Sequence, residues 1–443
     1  MNSRFIANIG PTCDALAHSP VVPPAGLPAT VSVKVGDPDG IATVQLFTSI
    51  NGAAFTSAAM TAGSGGLYTG TVPGQSAGTV VQFYIRASDT PGAVSYFPAG
   101  GATSRAMMQW DDGRAQLTLA SGASPHNLRI IMTGADANEL YKFENLMSNA
   151  AMPCTVILDE REIYYRAGVA LKSSEHGRFA STRVGYNIEF PPGDLFLGTH
   201  GAISIDRSGG VTTGQKEILL KELSILASGI HAPQDDIIRV IPARANTTTS
   251  PLSDGSGMLG AAILSKTRLK GDYVSNQWDN GSSGMMFKYE RIYVLTQTIN
   301  PATRVVDASI VPENPKVPQD TTSPPGVAVV NLGTSPEIYR WHWLVEGARD
   351  TDDFSGLINV VTGIGQNGGT VAFNTQVDQY IDVSEWLRAH VPCALYGVTD
   401  NYMASHTTNT ACSSATLQPA AHSSPRASPS PGAAASFLRE RIS

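Results

Sequence analysis

Apolar and polar residues alternate with a period of two through the early part of the chain, and that period belongs to half-buried β-strands. In Val31-Ser32-Val33-Lys34-Val35 every second residue is a valine, and Asp37-Pro38-Asp39-Gly40 follows with turn chemistry. Val44 to Phe47 and Leu67 to Val72 continue the strands, and Asn51-Gly52 between them is a hairpin signal. The run Val80-Val81-Gln82-Phe83-Tyr84-Ile85-Arg86-Ala87 is the strongest strand, and Asp89-Thr90-Pro91-Gly92 ends it. Short strands punctuated this often predict an immunoglobulin-like or fibronectin-type β-sandwich over residues 20–104, behind an N-terminal extension of residues 1–19. It carries no charged cluster of its own and reads as a spacer or docking module.

From about Met107 the texture changes to strands interspersed with helices, which predicts an α+β domain over residues 105–402. Leu128 to Met132, Tyr164 to Leu171, Tyr186 to Phe190, Ile237 to Ile241 and Met285 to Leu295 read as strands, and Glu139 to Met147 as an amphipathic helix. Gln215 to Ser228 is the best helix. Ile218, Leu219, Leu223 and Leu226 follow helical spacing, and Gly229 sits where a left-handed cap belongs. Ser335-Pro336-Glu337 opens another helix, with a hydroxyl at the cap, proline in the first turn and an acid at the positive end. Its expected buried stripe is Ile338, Trp341 and Val345. Asp382-Val383-Ser384-Glu385 resembles a capping box in front of Trp386-Leu387. Residues 403–443 are Ala, Ser, Pro and Thr with almost no apolar periodicity, the composition of a disordered tail.

Composition narrows the function classes. The 443 residues suggest two or three domains at about 150 residues each. Thirty Lys and Arg against 37 Asp and Glu give a net charge of −7 without long single-sign runs, so the basic footprint of a nucleic-acid binder is missing. Charged residues make up only 15% while Gly reaches 43 and Pro 28, a loop- and strand-rich profile that excludes a long coiled coil. No apolar stretch approaches the ~18 residues of a membrane span. Cys13, Cys154, Cys393 and Cys412 are scattered without a C-x-x-C pair, which excludes a zinc ribbon and a dense disulfide framework. For Cys154 two readings stay open, a bridge to Cys393 or a buried free thiol. The start, Met1 to Asn8, has too short an apolar run to act as a secretory signal.

Several motifs fail on their context. Gly363-Ile364-Gly365-Gln366-Asn367-Gly368 spells G-x-G-x-x-G, but that fingerprint needs a helix opening at its third glycine. Gly369-Thr370-Val371-Ala372-Phe373 follows instead, a poor helix, so a turn is expected. There is no G-x-S-x-G elbow and no Walker A sequence, and the nine histidines show no H-x-x-x-H spacing for a metal. The informative segment runs from Tyr165 through Lys172 into the Ser/Gly-rich turn that ends at Arg178, and Arg183 then precedes a second strand. A hairpin with a polar tip and basic flanks suits phosphate, because backbone N–H groups and guanidinium bind anionic oxygens.

The run Tyr-Tyr-Arg-Ala-Gly-Val-Ala-Leu-Lys-Ser-Ser-Glu-His-Gly-Arg over 164–178, with Arg183-Val184-Gly185-Tyr186 and Phe190 after it, resembles the strand–loop signature of the spore-coat protein H (CotH) kinase-like family. Glu217 to Gly229, Met285 to Glu290, and Trp386 to Asn401 resemble later elements of that family in the same order. The resemblance implies an atypical protein-kinase-like fold that transfers phosphate from ATP, with Mg or Mn, to serine of a protein substrate or cell-surface protein. It places Asp400 where a catalytic aspartate orients the hydroxyl, with Asn401 beside it. Arg183 takes the place of a phosphate-binding lysine, Arg178 flanks the phosphate cover, and Lys172 is a second cation with Glu290 as its partner. The family's Trp-Asp-x-Asp-like metal element has no counterpart after Tyr402, where Glu440 is the one acid of residues 403–443. Phosphoryl transfer depends on metal-held phosphates, so weak or absent catalysis is expected. Relatives of this type are bacterial and secreted, which implies a secreted or cell-surface protein truncated at both ends. The alternative reading is a non-catalytic extracellular binding or scaffold protein.

Overall fold

The computed structural model describes residues 8–115, 126–142, 145, 148–172, 184–206, 211–229, 235–243, 259–266, 285–289, 293–294, 317–318, 331, 333–347, 352–364 and 371–396. The chain divides into two compact units. The first comprises Met1–Gln215, Asp235–Lys266 and Leu295–Lys316, and the second comprises Lys216–Gln234, Thr267–Val294 and Val317–Ser443.

The first unit begins with nine strands: β1 (Thr12–Ser19), β2 (Ala29–Gly36), β3 (Ile41–Ile50), β4 (Thr56–Ala59), β5 (Thr61–Ala62), β6 (Leu67–Val72), β7 (Val80–Asp89), β8 (Val94–Phe97) and β9 (Met107–Gln109). One sheet has the order β1-β2-β6-β5 and the other β4-β3-β7-β8, with β9 also pairing β7. Alternation selects the inner faces, so Val31, Val33 and Val35 of β2 share a buried core with Val81, Phe83, Ile85 and Ala87 of β7. The β3–β4 turn is built on Asn51 and Gly52 at φ 48° and 81°, and the Ala53 N–H donates to the Ile50 carbonyl at 3.0 Å. Trp110 is fully buried in the same core, and its indole N–H donates to the Leu27 carbonyl at 2.8 Å. Strands β1 and β9 and Trp110 therefore belong to this sandwich, although they lie outside residues 20–104.

The rest of the first unit is a closed barrel of β10 (Asn127–Ile131), β11 (Met152–Leu158), β12 (Glu162–Lys172), β13 (Gly185–Glu189), β14 (Ala202–Asp206), β15 (Asp235–Ile241) and β16 (Gly260–Ser265). Its order is β10-β11-β12-β13-β14-β16-β15. Every neighbouring pair is antiparallel except β10 with β15, whose parallel ladder Asn127↔Arg239 to Arg129↔Ile241 closes the ring. Alternate residues fill the interior, among them Ile130, Val156, Val169, Ile188, Ile205 and Val240. Helix α1 (Gly134–Tyr141), capped by the Thr133 hydroxyl accepting from the Asp136 N–H, adds Leu140 and Tyr141 to that core. It begins before Glu139, earlier than the expected helix from Glu139 to Met147, because the cap is the Thr133 side chain. Gly185 lies where β13 runs against its neighbours, and a Cβ there would stand 2.1 Å from the Ile205 carbonyl oxygen. Gly185→Ala is expected to force these strands apart and cost about 2 kcal/mol, within the range for overpacking. Urea denaturation checks it, and an unchanged midpoint would refute the close approach.

This architecture corrects the expected fold class. The domain that follows the sandwich is not an α+β atypical protein-kinase-like one, because strands β10 to β16 close into a seven-stranded barrel and only six α-helices occur among the described residues. The physical reason is the β10–β15 pairing. An open sheet offers a face for helices to cover, whereas here each inward face is buried by the ring itself. The expected disordered tail, residues 403–443, lies outside the described residues.

The second unit is described in parts. Helix α2 (Val211–Ser228) enters it at Lys216 and ends at Gly229, whose φ of 67° is the left-handed cap expected from the sequence. Strand β17 (Met286–Tyr289) pairs β20 (Trp343–Gly347), and β18 (Tyr293–Val294) pairs β19 (Val317–Pro318). Helices α3 (Pro336–His342), α4 (Ser355–Ile364), α5 (Val371–Gln376) and α6 (Val383–Leu395) complete it. Phe287, Tyr339, Trp343, Phe354, Leu357 and Val361 form its core. Of the stripe expected on α3, Ile338 is exposed, the Trp341 side chain lies outside the described residues, and Val345 packs on this core from β20. Tyr339 is fully buried instead of Ile338, and the chain leaves the helix at His342 and turns Trp343 inward. Val371–Gln376 is helical despite its weak propensity. The Asp382 carboxylate accepts from the Glu385 N–H at 2.8 Å, the cap read from the sequence. Among the described residues no helix is long and apolar enough to cross a membrane.

Candidate functional site

Of the residues singled out for phosphate chemistry, the structure places Lys172. It ends β12, and its ammonium donates to the Asp206 carboxylate of β14 at 2.6 Å, with about a third of each side chain exposed. Asp206 was not signalled in the sequence, because its proximity depends on the β12–β13–β14 register. Arg178, Arg183, Glu290, Asp400 and Asn401 lie outside the described residues. Cys154 is a buried free thiol inside the barrel, and burial raises its pKa well above the ordinary range.

Asp37, Asp39 and Asp89 bring carboxylate oxygens within 4.8 Å of one another and could hold a metal ion. Two of them come from the β2–β3 turn and the third from the end of β7, joined by the Ile41↔Asp89 register. An all-oxygen set suits a hard cation such as calcium or magnesium and not zinc. The same atoms also organise turns. Asp37 accepts from the Asp39 N–H at 2.8 Å. Buried Asp89 accepts from the Gly92 and Ala93 N–H groups at 2.6 and 2.7 Å and from the Asn8 amide at 2.8 Å. The Asp37-Pro38-Asp39-Gly40 turn was legible, but the distant Asp89 was not.

The densest polar chemistry joins the sandwich to the barrel within the first unit. On β10, β11 and β12, Arg129, Ile131, Thr155, Ile157, Ile163 and Tyr165 alternate with the barrel interior and are buried or half-buried, whereas Pro153 and Arg166 are exposed. Ile131 and Ile157 pack on Met107, with Val21, Val22 and Val80 around them. The Thr155 hydroxyl donates to the Arg105 carbonyl at 2.6 Å and accepts from the Met107 N–H at 3.1 Å. Tyr165 enters the sandwich core itself, edge-on to Phe83 at 5.7 Å.

Arg129 is fully buried at this junction. Its guanidinium donates to both Glu160 oxygens at 3.1 and 3.2 Å, to Gln109 at 3.0 Å and to Asp112 at 3.2 Å. Asp112 also accepts from Arg114, whose other end donates to the Pro242 carbonyl at 2.8 Å. Burial works to raise the Asp112 carboxyl, but the charge and hydrogen bonds of Arg114 and the charge of Arg129 hold it below its ordinary value. These contacts fix the two β-bodies of the first unit to each other.

In the second unit a cavity of about 520 Å³ lies between the end of α2 and α6, lined mainly by Ala227, Val383, Leu387, Arg388, Val391 and Leu395. Leu387, Val391 and Leu395 recur at helical spacing and are more than half exposed.

No family model matches the sequence, and no curated protein does. Likenesses to solved structures are weak. The crystal structure of a Br derivative of BhCBM56 is 17% identical over 16% of this chain and 74% of its own, with a TM-score of 0.14. The cycloalternan-forming enzyme from Listeria monocytogenes, in complex with a pentasaccharide substrate, is 10% identical over 43% of this chain and only 17% of its own, with a TM-score of 0.18. Titin kinase with its flanking domains is 9% identical over 88% of this chain and 66% of its own, with a TM-score of 0.17. Scores this low carry no argument about fold or activity.

Proposed function

We propose that this chain is a non-catalytic binding or scaffold protein of the extracellular or cell-surface kind, which engages a surface polymer or protein. The observation that carries this reading is the first unit's junction. The barrel interior is occupied by its own side chains, and Ile131, Ile157, Ile163 and Tyr165 on the outside of β10–β12 pack against the sandwich. A filled barrel sealed to a sandwich through Arg129 and Tyr165 is a stiff platform, and stiffness suits presentation of a binding face. The rival reading is transfer of phosphate from ATP, with Mg or Mn, by Asp400 and Asn401. It requires saturable nucleotide binding. Titration of the full chain with ATP and either metal, alongside transfer of labelled phosphate to the chain and to Ser-rich peptides, is expected to give neither binding nor transfer. Transfer that disappears in Asp400→Ala would overturn the scaffold reading.

A further inference from the structure

The outer face of the β4-β3-β7-β8 sheet carries side chains that the packing of the sandwich does not require. Because Val44 and Leu46 of β3 and Phe83, Ile85 and Ala87 of β7 point into the core, Phe47, Gln45, Thr43, Tyr84, Arg86 and Ser88 stand on the other face. Cross-strand register aligns them in rows, Phe47↔Tyr84, Gln45↔Arg86↔Tyr96 and Thr43↔Ser88↔Val94. Rings from three strands and the β3–β4 connection meet there. Phe47 stacks on Tyr84 at 4.8 Å and 9°, Phe55 meets Tyr84 at 5.1 Å, and Tyr96 meets it at 6.0 Å. Tyr84 is covered by these neighbours, Phe47 and Phe55 are half-buried, and Tyr96 is 45% exposed.

Beside the rings lies a row of planar and hydroxyl groups. Arg86 donates to the Gln45 side-chain amide oxygen at 3.3 Å, and the Thr43 and Ser88 hydroxyls are 2.7 Å apart. Arg86 is the one charged side chain among the residues aligned in these rows, and no carboxylate is among them. A contiguous aromatic strip bordered by an amide, a guanidinium and two hydroxyls matches a ligand with apolar C–H faces and a rim of hydroxyls. Charge decides the class. A polyanion would need several cations, whereas this strip offers one on a chain of net charge −7.

We infer that this sheet face binds a neutral polysaccharide, with Tyr96, Phe47 and Phe55 packing on sugar rings and Arg86 with Gln45 holding vicinal hydroxyls. The inference rests on the binding reading above and names the class of its partner.

Native electrophoresis of the full chain through gels containing soluble starch, a β-1,3-glucan, a mixed-linkage β-glucan or hydroxyethylcellulose tests it, with alginate as the anionic arm. Retardation by at least one neutral polymer is expected. That retardation should weaken at least tenfold in Tyr96→Ala and in Arg86→Ala, and persist in Leu67→Ala, which alters an exposed side chain of the other sheet. Tyr96→Phe, which keeps the ring, should retain most of it, so a fold defect and a lost contact are told apart. Mobility unaffected by every neutral polymer, retardation by alginate alone, or retardation indifferent to Tyr96→Ala and Arg86→Ala would each overturn the inference. In those cases the binding reading stands as long as ATP is neither bound nor consumed, and phosphate transfer would remove that reading by itself.

Discussion

Arg129→Met is expected to lower the stability of the first unit by about 3–5 kcal/mol, the cost of breaking a buried ion pair from one side. Methionine keeps the unbranched stem but ends near the position of Nε, so the loss combines charge and hydrogen bonding with the space that the buried guanidinium vacates. Glu160 loses both of its bonds to the guanidinium, and Asp112 keeps only Arg114 as a cation. The Gln109 side-chain amide oxygen at the junction loses the Arg129 donor. Arg129→Lys keeps the charge but cannot span both Glu160 oxygens in the same plane, so an intermediate loss is expected. Chemical denaturation followed by tryptophan fluorescence reports this directly, because Trp110 is buried in the adjoining sandwich core. A loss below about 1 kcal/mol for the methionine variant would mean that the network is no more than an exposed-type pair, and the junction would have to rest on its apolar contacts.

Much of the local structure was legible because local structure is written in short-range patterns. Valines at every second position gave β2, Asn51-Gly52 gave the left-handed turn after β3, Gly229 gave the end of α2, and Asp382 gave the cap of α6. What was not legible depended on pairing between distant segments. Alternation in Tyr164 to Leu171 says that one face is apolar, but the outward Tyr165 is buried as well, and only the sandwich explains why. Likewise Asn127 to Arg129 and Arg239 to Ile241 are unremarkable strands until their parallel ladder closes the ring. A chain cut after residue 104 would leave off β9, Trp110 and Tyr165, all of which complete the sandwich. The candidate binding face was hidden for the same reason. Phe47, Tyr84 and Tyr96 are far apart in sequence and meet only through the β3–β7–β8 register.

Acidification should weaken the same junction through His18. This residue sits on β1, 3% exposed, and its ring lies edge-on to Phe83 at 5.9 Å. The Val21 carbonyl, 2.8 Å from Nε2, can only accept, so Nε2 carries the hydrogen of the neutral ring. Nδ1 is then the acceptor for the Tyr165 hydroxyl at 2.7 Å. A second proton would make Nδ1 a donor and leave the Tyr165 hydrogen without its acceptor. Burial accordingly lowers the His18 pKa from 6.5 to about 4, against a smaller opposing effect of the Val21 hydrogen bond. The unfolded chain therefore binds this proton through the window from about 6.5 down to about 4 while the folded chain does not. The stabilisation is complete above the upper limit and is lost progressively as pH falls through the lower one. A gap of that size amounts to about 3 kcal/mol. Denaturation midpoints measured across this window should fall steeply for the natural chain and much less for His18→Gln, which has no titrating ring. An NMR titration of His18 in the intact protein supplies the second readout, and an imidazole that titrates near 6.5 in the folded state would show that the ring is not held neutral by the Tyr165–Val21 geometry.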